Sequence, residues 1–406
     1  MTWLIGGLWA ASWGLALLLV LLFTIYCIEI IAGIWRRHAN PSETQAAEAL
    51  VGRTVILIPA HNEEAMIATT LAELHARISD QVSILVIADN CTDKTADLAR
   101  AGGAVVLERR DEDLRGKAYA LAHGRDWLKA DPPDCVVVMD ADCMLAPGSA
   151  ELLASHALEH GVPVQATNLV EASSAAPSMV QISNFAMLVK NLVRQRGMTR
   201  LGGAALLTGT GMAFPWPLFA TAPLANAELA EDLALGVTLT RQGHVPRFVE
   251  RARVCSDAAA REDTLVQRTR WEHGFVSTAR RYALPLIVAG IGRFSASRLF
   301  LGLHLMVPPL ALLFTLGLGG FIITLLAGWA TGVFLPALVL VAAICTAAIL
   351  TIIVWLIHGR DVLTGGALLR VPFYILWKIP VYLKLLTGRE TRWIRTRRAG
   401  EGAPDP

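Results

Sequence analysis

Hydrophobic positions divide this chain into an apolar beginning, an alternating middle and an apolar end. Trp3 to Ile28 runs almost without a polar break, enough at ~1.5 Å per residue to cross a bilayer with some tilt. It is too long for a signal-peptide core and has no basic leader. Near the other end, Leu305 to Leu326 and Val333 to Ile357 are two further runs of spanning length. The AGWATG between them is too short for anything but an antiparallel hairpin. Glu29 falls close to the inner end of the first run, where a carboxylate costs little.

The middle alternates between two periodicities. Short apolar runs at 54–60, 82–89, 104–108 and 135–140 read as strands, and the stretches between them carry apolar residues at helical spacing. A β-α-β-α-β-α-β order predicts an α/β domain with a doubly wound parallel sheet. No glycine-rich dinucleotide or P-loop signature follows any of these strands. Beyond residue 160 the pattern is less regular. QISNFAMLVKNLVRQRG has one apolar stripe with Lys190, Arg194 and Arg196 nearby. This is either a core-facing helix with a solvated basic side or a helix resting on anionic head groups. ALLRVPFYILWKIPVYLKLL gathers Arg370, Lys378 and Lys384 on one side and is interrupted by Pro372 and Pro380, so it reads as interfacial amphipathic helix rather than a fourth span.

Composition agrees with a membrane protein: 54% of residues are hydrophobic, 17% are charged and the mean hydropathy is +0.48. Net charge is only +2, and no basic stripe interleaved with aromatics suggests nucleic acid. Charge placement says more than the total. Arg36-Arg37 follows the first span, and residues 359–406 carry nine Lys/Arg against four Asp/Glu, whereas the hairpin tip is uncharged. The positive-inside rule then puts the N-terminus and the tip outside and residues 36–296 and the C-terminus in the cytoplasm. The six cysteines lack metal or redox spacing, as expected of reduced packing residues.

Candidate chemistry collects where the strands end. CVVVMDADC closes an apolar run with Asp140 and Asp142, two carboxylates in i, i+2 register that can share one divalent cation. Strand one ends in IPAHNEE and strand two in ADNCTDKT. Asn62, Glu63 and Asp89 thus face the same crevice, the usual ligand site of open α/β sheets. Asn62 and Asn90 would serve equally as helix caps. Lys117 suits a diphosphate. Downstream, Glu231-Asp232 lies in an apolar frame, LAEDLALG, where a carboxylate is costly unless used; a partly desolvated Asp is a plausible general base. Gln267, Arg270 and Trp271 follow, the indole offering a face for a sugar ring and the guanidinium a fork for phosphate oxygens.

In this order the residues resemble the membrane-bound inverting family 2 glycosyltransferases, which include polysaccharide synthases. The likeness rests on Pro59-Ala60-His61-Asn62-Glu63, Asp89, Lys117, Asp140-x-Asp142, Glu231-Asp232 and Gln267-x-x-Arg270-Trp271. It implies a GT-A nucleotide-sugar fold. Residues 52–165 would be the nucleotide-sugar half and 166–258 the acceptor half. A first span (1–35), a linker (36–51), the QxxRW segment (259–296), the hairpin (297–358) and a basic tail (359–406) would complete the chain. The resemblance further implies that Asp89 holds the base, Asp140 and Asp142 face the diphosphate with Mg²⁺ or Mn²⁺, and Asp232 is the catalytic base. Gln267, Arg270 and Trp271 would border the acceptor, with Glu231 beside the base. The expected donor is a UDP- or GDP-linked sugar and the expected acceptor a lipid-linked saccharide used in surface or exopolysaccharide assembly at the inner membrane. A processive synthase and a non-catalytic GT-A-like scaffold are the alternatives.

Overall fold

The computed structural model describes residues 2–35, 52–171, 175–224, 230–256 and 261–387, with only the backbone for 2–4, 261–270, 380, 381 and 383–387. It opens with a long helix α1 (Thr2–Gly33). Then β1 (Thr54–Ala60), α2 (Ile67–His75), β2 (Val82–Asp89), α3 (Thr95–Ala101), β3 (Val105–Arg109), α4 (Lys117–Leu128) and β4 (Cys135–Val138) follow in the expected alternation. Strands β3, β2, β1 and β4 are neighbours in that order and all parallel. Both faces of these strands are covered. Ile56 and Ile58 pack toward α2 with Leu71 and Leu74, while Val55 and Leu57 face the opposite core with Leu121 of α4. That explains why the runs are continuously apolar rather than alternating. Each fully buried aliphatic side chain here contributes about 1.5–3 kcal/mol.

The sheet is not parallel throughout, which corrects the sequence expectation. After β5 (Cys143–Leu145), α5 (Ser149–His160), β6 (Val164–Val170), α6 (Ser178–Leu188) and α7 (Gln195–Arg200), strand β7 (Met212–Pro215) runs antiparallel to both β4 and β6. Gly209 (φ 84°) and Gly211 (φ 65°) adopt left-handed conformations that let the chain reverse into β7 at the crevice. The elements α8 (Trp216–Thr221), α9 (Glu231–Gln242) and β8 (Arg247–Ser256) complete an eight-stranded mixed sheet ordered β3-β2-β1-β4-β7-β6-β8-β5.

Two further helices, α10 (Arg261–Gly292) and α11 (Ala296–Met306), lead to α12 (Leu310–Thr331), α13 (Leu335–Val354), a short α14 (Gly365–Leu368) and α15 (Val371–Thr387). Among the described residues, three helical stretches are long and apolar enough to cross a membrane: Ile5–Gly33, Leu310–Thr331 and Leu335–Gly359. One is N-terminal and two are C-terminal, as the sequence pattern implies. Phe23, Tyr26 and Ile30 of α1 pack on Leu313 and Leu340 of the hairpin, and also on Phe185, Val189 and Val193 of the domain.

The basic residues of QISNFAMLVKNLVRQRG behave differently from either sequence reading. A π-helical turn, Val189–Arg194, separates α6 from α7. Arg194 is buried and its Nε donates to Glu29 Oε2 at 2.7 Å, with His304 Nδ1 2.8 Å from the other oxygen. Glu29 is therefore enclosed rather than resting at a lipid boundary. Arg196 is also buried and forks onto both Glu250 oxygens at 2.7 and 2.8 Å. Its Nη1, Arg200 Nη1 and His358 Nε2 reach the carbonyls of Gly33, Ala32 and Ile34 at 2.7–2.8 Å. Two guanidiniums and an imidazole thus satisfy the orphan acceptors at the end of α1, where the helix dipole favours the positive charge of the arginines. Backbones also meet here: a Cβ on Gly197 would lie 1.9 Å from Glu29 O, and one on Gly33 1.9 Å from Val193 O. Lys378 departs from its expected interfacial exposure too, being buried against Glu272 in an ion pair.

Candidate active site

The crevice is assembled from strand ends that cross-link through side chains. Asn62 and Asn90 take left-handed φ values of 54° and 52° directly after β1 and β2, which asparagine tolerates better than most residues. Neither caps a helix. Asn62 Oδ1 accepts from Thr92 N at 2.8 Å and Asn90 Oδ1 from Asp111 N at 2.8 Å, so each ties its own strand end to the neighbouring loop. Pro59 precedes this turn in register with Ile87, and the carbonyl of buried Glu63 accepts from Met66 N and Ile67 N to start α2. Asp89, buried at the end of β2, accepts at Oδ1 from Arg109 Nη1 at 2.6 Å. Arg109 was not anticipated from sequence. Its signal lay in β3, whose parallel register sets Arg109 opposite Asp89. The pairing balances a carboxylate that would be expensive to bury alone. With four lone-pair sites on a carboxylate, capacity remains for an N–H edge of a base.

Asp140 and Asp142 do not lie on a strand, contrary to the i, i+2 register expected. Strand β4 ends at Val138, and both carboxylates sit in the turn before β5. They converge nonetheless: ligand atoms of Asp140, Asp142 and Cys143 lie within 4.8 Å of one another. Cys143 donates its thiol toward Asp142 Oδ1 at 3.6 Å, and burial, followed by the nearby carboxylates, pushes the thiol pKa well up. A protonated thiol is a poor ligand, so the donor set is one of hard oxygens. It fits Mg²⁺ or Mn²⁺ rather than a thiolate-loving metal. Lys117, at the start of α4, forms an ion pair with Asp140 and donates to Gly209 O at 2.8 Å. Burial pulls its pKa down, but Asp140, Glu231 and Asp232 reverse this and the net shift is upward, so the ammonium stays charged.

Glu231 and Asp232 form the first turn of α9 and meet the same lysine. A Cβ on Gly209 would stand 3.2 Å from both Asp232 Oδ2 and Lys117 Nζ, which is why glycine lines this corner. Asp232 Oδ1 accepts from Leu233 N at 2.8 Å. Burial raises the Asp232 pKa against the opposing pull of Lys117, that amide and Lys190. Glu231 is pushed up to about 7 by burial and then by Asp232, again with Lys117 opposing. Carboxyls held above their ordinary range in a crevice are suited to accept and release a proton. Trp271, on α10, is 39% exposed. The side chains of Gln267 and Arg270 fall outside those described.

A family model described as "Glycosyl transferase family 2" matches residues 55–214, and one described as "Glycosyl transferase family group 2" matches 135–357, more than half of the chain. The chain belongs to the family 2 glycosyltransferases. Over 109 residues this transferase is 28% identical to the low-salt glycan biosynthesis hexosyltransferase Agl6 of Haloferax volcanii. Over 108 residues it is 33% identical to the 4,4'-diaponeurosporenoate glycosyltransferase of Staphylococcus haemolyticus. Each match covers 26% of this chain and only about a quarter, 25% and 26%, of the relative. A mannosyltransferase, PcManGT of Pyrobaculum calidifontis, solved with GDP-Man and Mn²⁺, superposes with a TM-score of 0.54 over 94% of this chain and 97% of that one. At 16% identity the likeness is one of fold.

Proposed function

We propose that this transferase moves one hexosyl unit, with inversion, from a UDP- or GDP-linked sugar to a hydroxyl of a lipid-linked saccharide. The reaction would take place on the cytoplasmic side of the inner membrane, in surface or exopolysaccharide assembly. The observation that carries the reading is the junction between α1 and the domain. The crevice belongs to a body joined to a spanning helix by the Gly33–Gly197 approach and the Glu29–Arg194 pair. Such an anchorage suits an acceptor that is itself held in the bilayer.

In this reading Asp89, steadied by Arg109, receives the base, with Pro59, Asn62 and Glu63 shaping the loop beside it. Asp140 and Asp142 hold Mg²⁺ or Mn²⁺, which when bound supplies positive charge to the donor diphosphate. Asp232 takes the proton of the acceptor hydroxyl as its oxygen bonds to the anomeric carbon. The anomeric carbon–oxygen bond to the diphosphate breaks on the opposite face, and the nucleoside diphosphate leaves with the bonding pair. Lys117, beside Asp140 and Asp232, is placed to offset charge on either group. Gln267, Arg270 and Trp271 would border the acceptor, with Glu231 tuning the base.

The test is a donor screen with the purified protein in detergent, reading nucleoside diphosphate release with and without a membrane lipid extract. Release from one nucleotide sugar that rises severalfold with lipid, and a sugar-bearing lipid product, is expected. Release that ignores lipid while long polymer accumulates would assign the protein to processive synthesis.

A further inference from the structure

The last turn of α5 carries His156, Glu159 and His160 at i, i+3 and i+4, spacings that put all three side chains on one face of a helix. One nitrogen from each imidazole and one carboxylate oxygen of Glu159 lie within 4.8 Å of one another. The two rings stand with their centres 5.8 Å apart and their planes inclined by 59°. We infer that this turn binds one Zn²⁺ ion, at a site separate from the Asp140–Asp142 pair. Donor chemistry distinguishes the two clusters. Imidazole nitrogens favour zinc and its transition-metal neighbours, whereas carboxylate and water oxygens suit Mg²⁺ and Mn²⁺. Two histidines and a glutamate are a three-ligand set that holds zinc and leaves a further position to water.

Geometry and position both favour the ion. Around a zinc held at ~2.0–2.2 Å, tetrahedral ligand atoms stand about 3.4 Å apart. The three atoms must therefore close a small gap, which side-chain rotation supplies on a turn where Glu159 and His160 are exposed and His156 is half-buried. Gly161 ends α5 in a left-handed conformation (φ 63°), with its N–H returning to Ala157 O. The last carbonyls of the helix carry the negative end of its dipole, which favours a cation at this turn. The inner face of α5 is fixed independently. Leu152, Leu153, Ala154 and Ala157 are buried in the core shared with β4, β6, β7 and β8. The backbone spacing of the ligands is thus set before the metal arrives, and binding orders only side chains. Twelve residues of helix, about 18 Å, run from the end that follows β5 to this turn. A bound zinc clips the far end of that helix to itself.

The test is calorimetric titration of the full, tag-free chain in non-ionic detergent with Zn²⁺, in excess Mg²⁺ to occupy the Asp140–Asp142 pair. One Zn²⁺ per chain is expected to bind in spite of the Mg²⁺. His160→Asn and Glu159→Gln, both at exposed positions, are each expected to weaken that binding at least about tenfold, because even the groups that merely support metal ligands are worth as much. Thermal unfolding supplies an independent reading. Zn²⁺ should raise the unfolding midpoint of the native chain, as a ligand of the folded state does, and leave that of His160→Asn where it was. If His160→Asn does not fold, Glu159→Gln decides by the same two measurements. Native zinc affinity in the folded variants would place the metal elsewhere and overturn the assignment. So would displacement of Zn²⁺ by Mg²⁺, or the absence of saturable zinc binding to the native chain.

Discussion

Glu29 Oε2 of the first apolar helix and Arg194 Nε of the catalytic domain are 2.7 Å apart, with side chains 4% and 5% exposed. A buried pair broken on one side leaves an uncompensated charge that costs about 3–5 kcal/mol. Glu29→Ala is therefore expected to lower the thermal unfolding midpoint in detergent markedly, whereas Glu29→Leu with Arg194→Leu should recover most of the loss. A single variant that unfolds like the native protein would show that the pair does not hold the junction.

Asp140 and Asp142 share their turn with a protonated thiol, so the carboxylates carry any metal binding. Asp142→Asn should weaken donor binding in Mg²⁺ or Mn²⁺ and flatten the dependence of affinity on metal concentration. Titrating nucleotide sugar with and without metal measures this; an unaltered metal dependence removes Asp142 from the site.

An acceptor hydroxyl does not lose its proton unaided at neutral pH. Asp232→Asn is expected to preserve donor affinity while lowering turnover by roughly 10²–10⁴-fold, the usual reach of general base catalysis. Near-native turnover would move the role to Glu231.

The pH profile should carry the same signature. A base works only when ionised, and burial holds Asp232 above the ordinary carboxylate range and Glu231 at about 7. Turnover should thus fall on the acid side at a higher pH than it would with an exposed aspartate as base. Lys190→Gln removes a positive neighbour that favours the ionised form of Asp232 and should shift the acid limb to higher pH. A limb that stays put would show that Lys190 does not act on the base.

Orientation is open to chemical labelling. In a variant with its six cysteines replaced, a cysteine at Thr331 should react with an impermeant thiol reagent from outside the cell. One at Asp126, exposed in the catalytic domain, should react only after lysis. The reverse pattern would invert the topology.

Local signals served the sequence reading well, and long-range ones escaped it. Apolar runs such as Val55–Ile58 announce a strand covered on both faces, and Asp140 and Asp232, each in a short acidic motif, both lie beside Lys117. Arg194 and Arg196 looked like a solvated face because their partners, Glu29 and Glu250, are 165 and 54 residues distant. Arg109 was missed because its meaning depends on strand register, which no short motif encodes. The reversal into β7 depends on two glycine dihedrals rather than on hydrophobic period.

The contact between Gly33 and Gly197 leaves no slack between the spanning helix and the catalytic body. On the proposed reading the distance from bilayer to Asp232 is then a fixed length, and the acceptor must supply a stem of matching size. A saccharide one sugar too short would stop below the base, and one too long would carry its terminal hydroxyl past it. Gly197→Ala, which forces apart backbones that would otherwise approach to 1.9 Å of the added methyl, should therefore alter which acceptor length is preferred, and not merely how fast sugar is transferred.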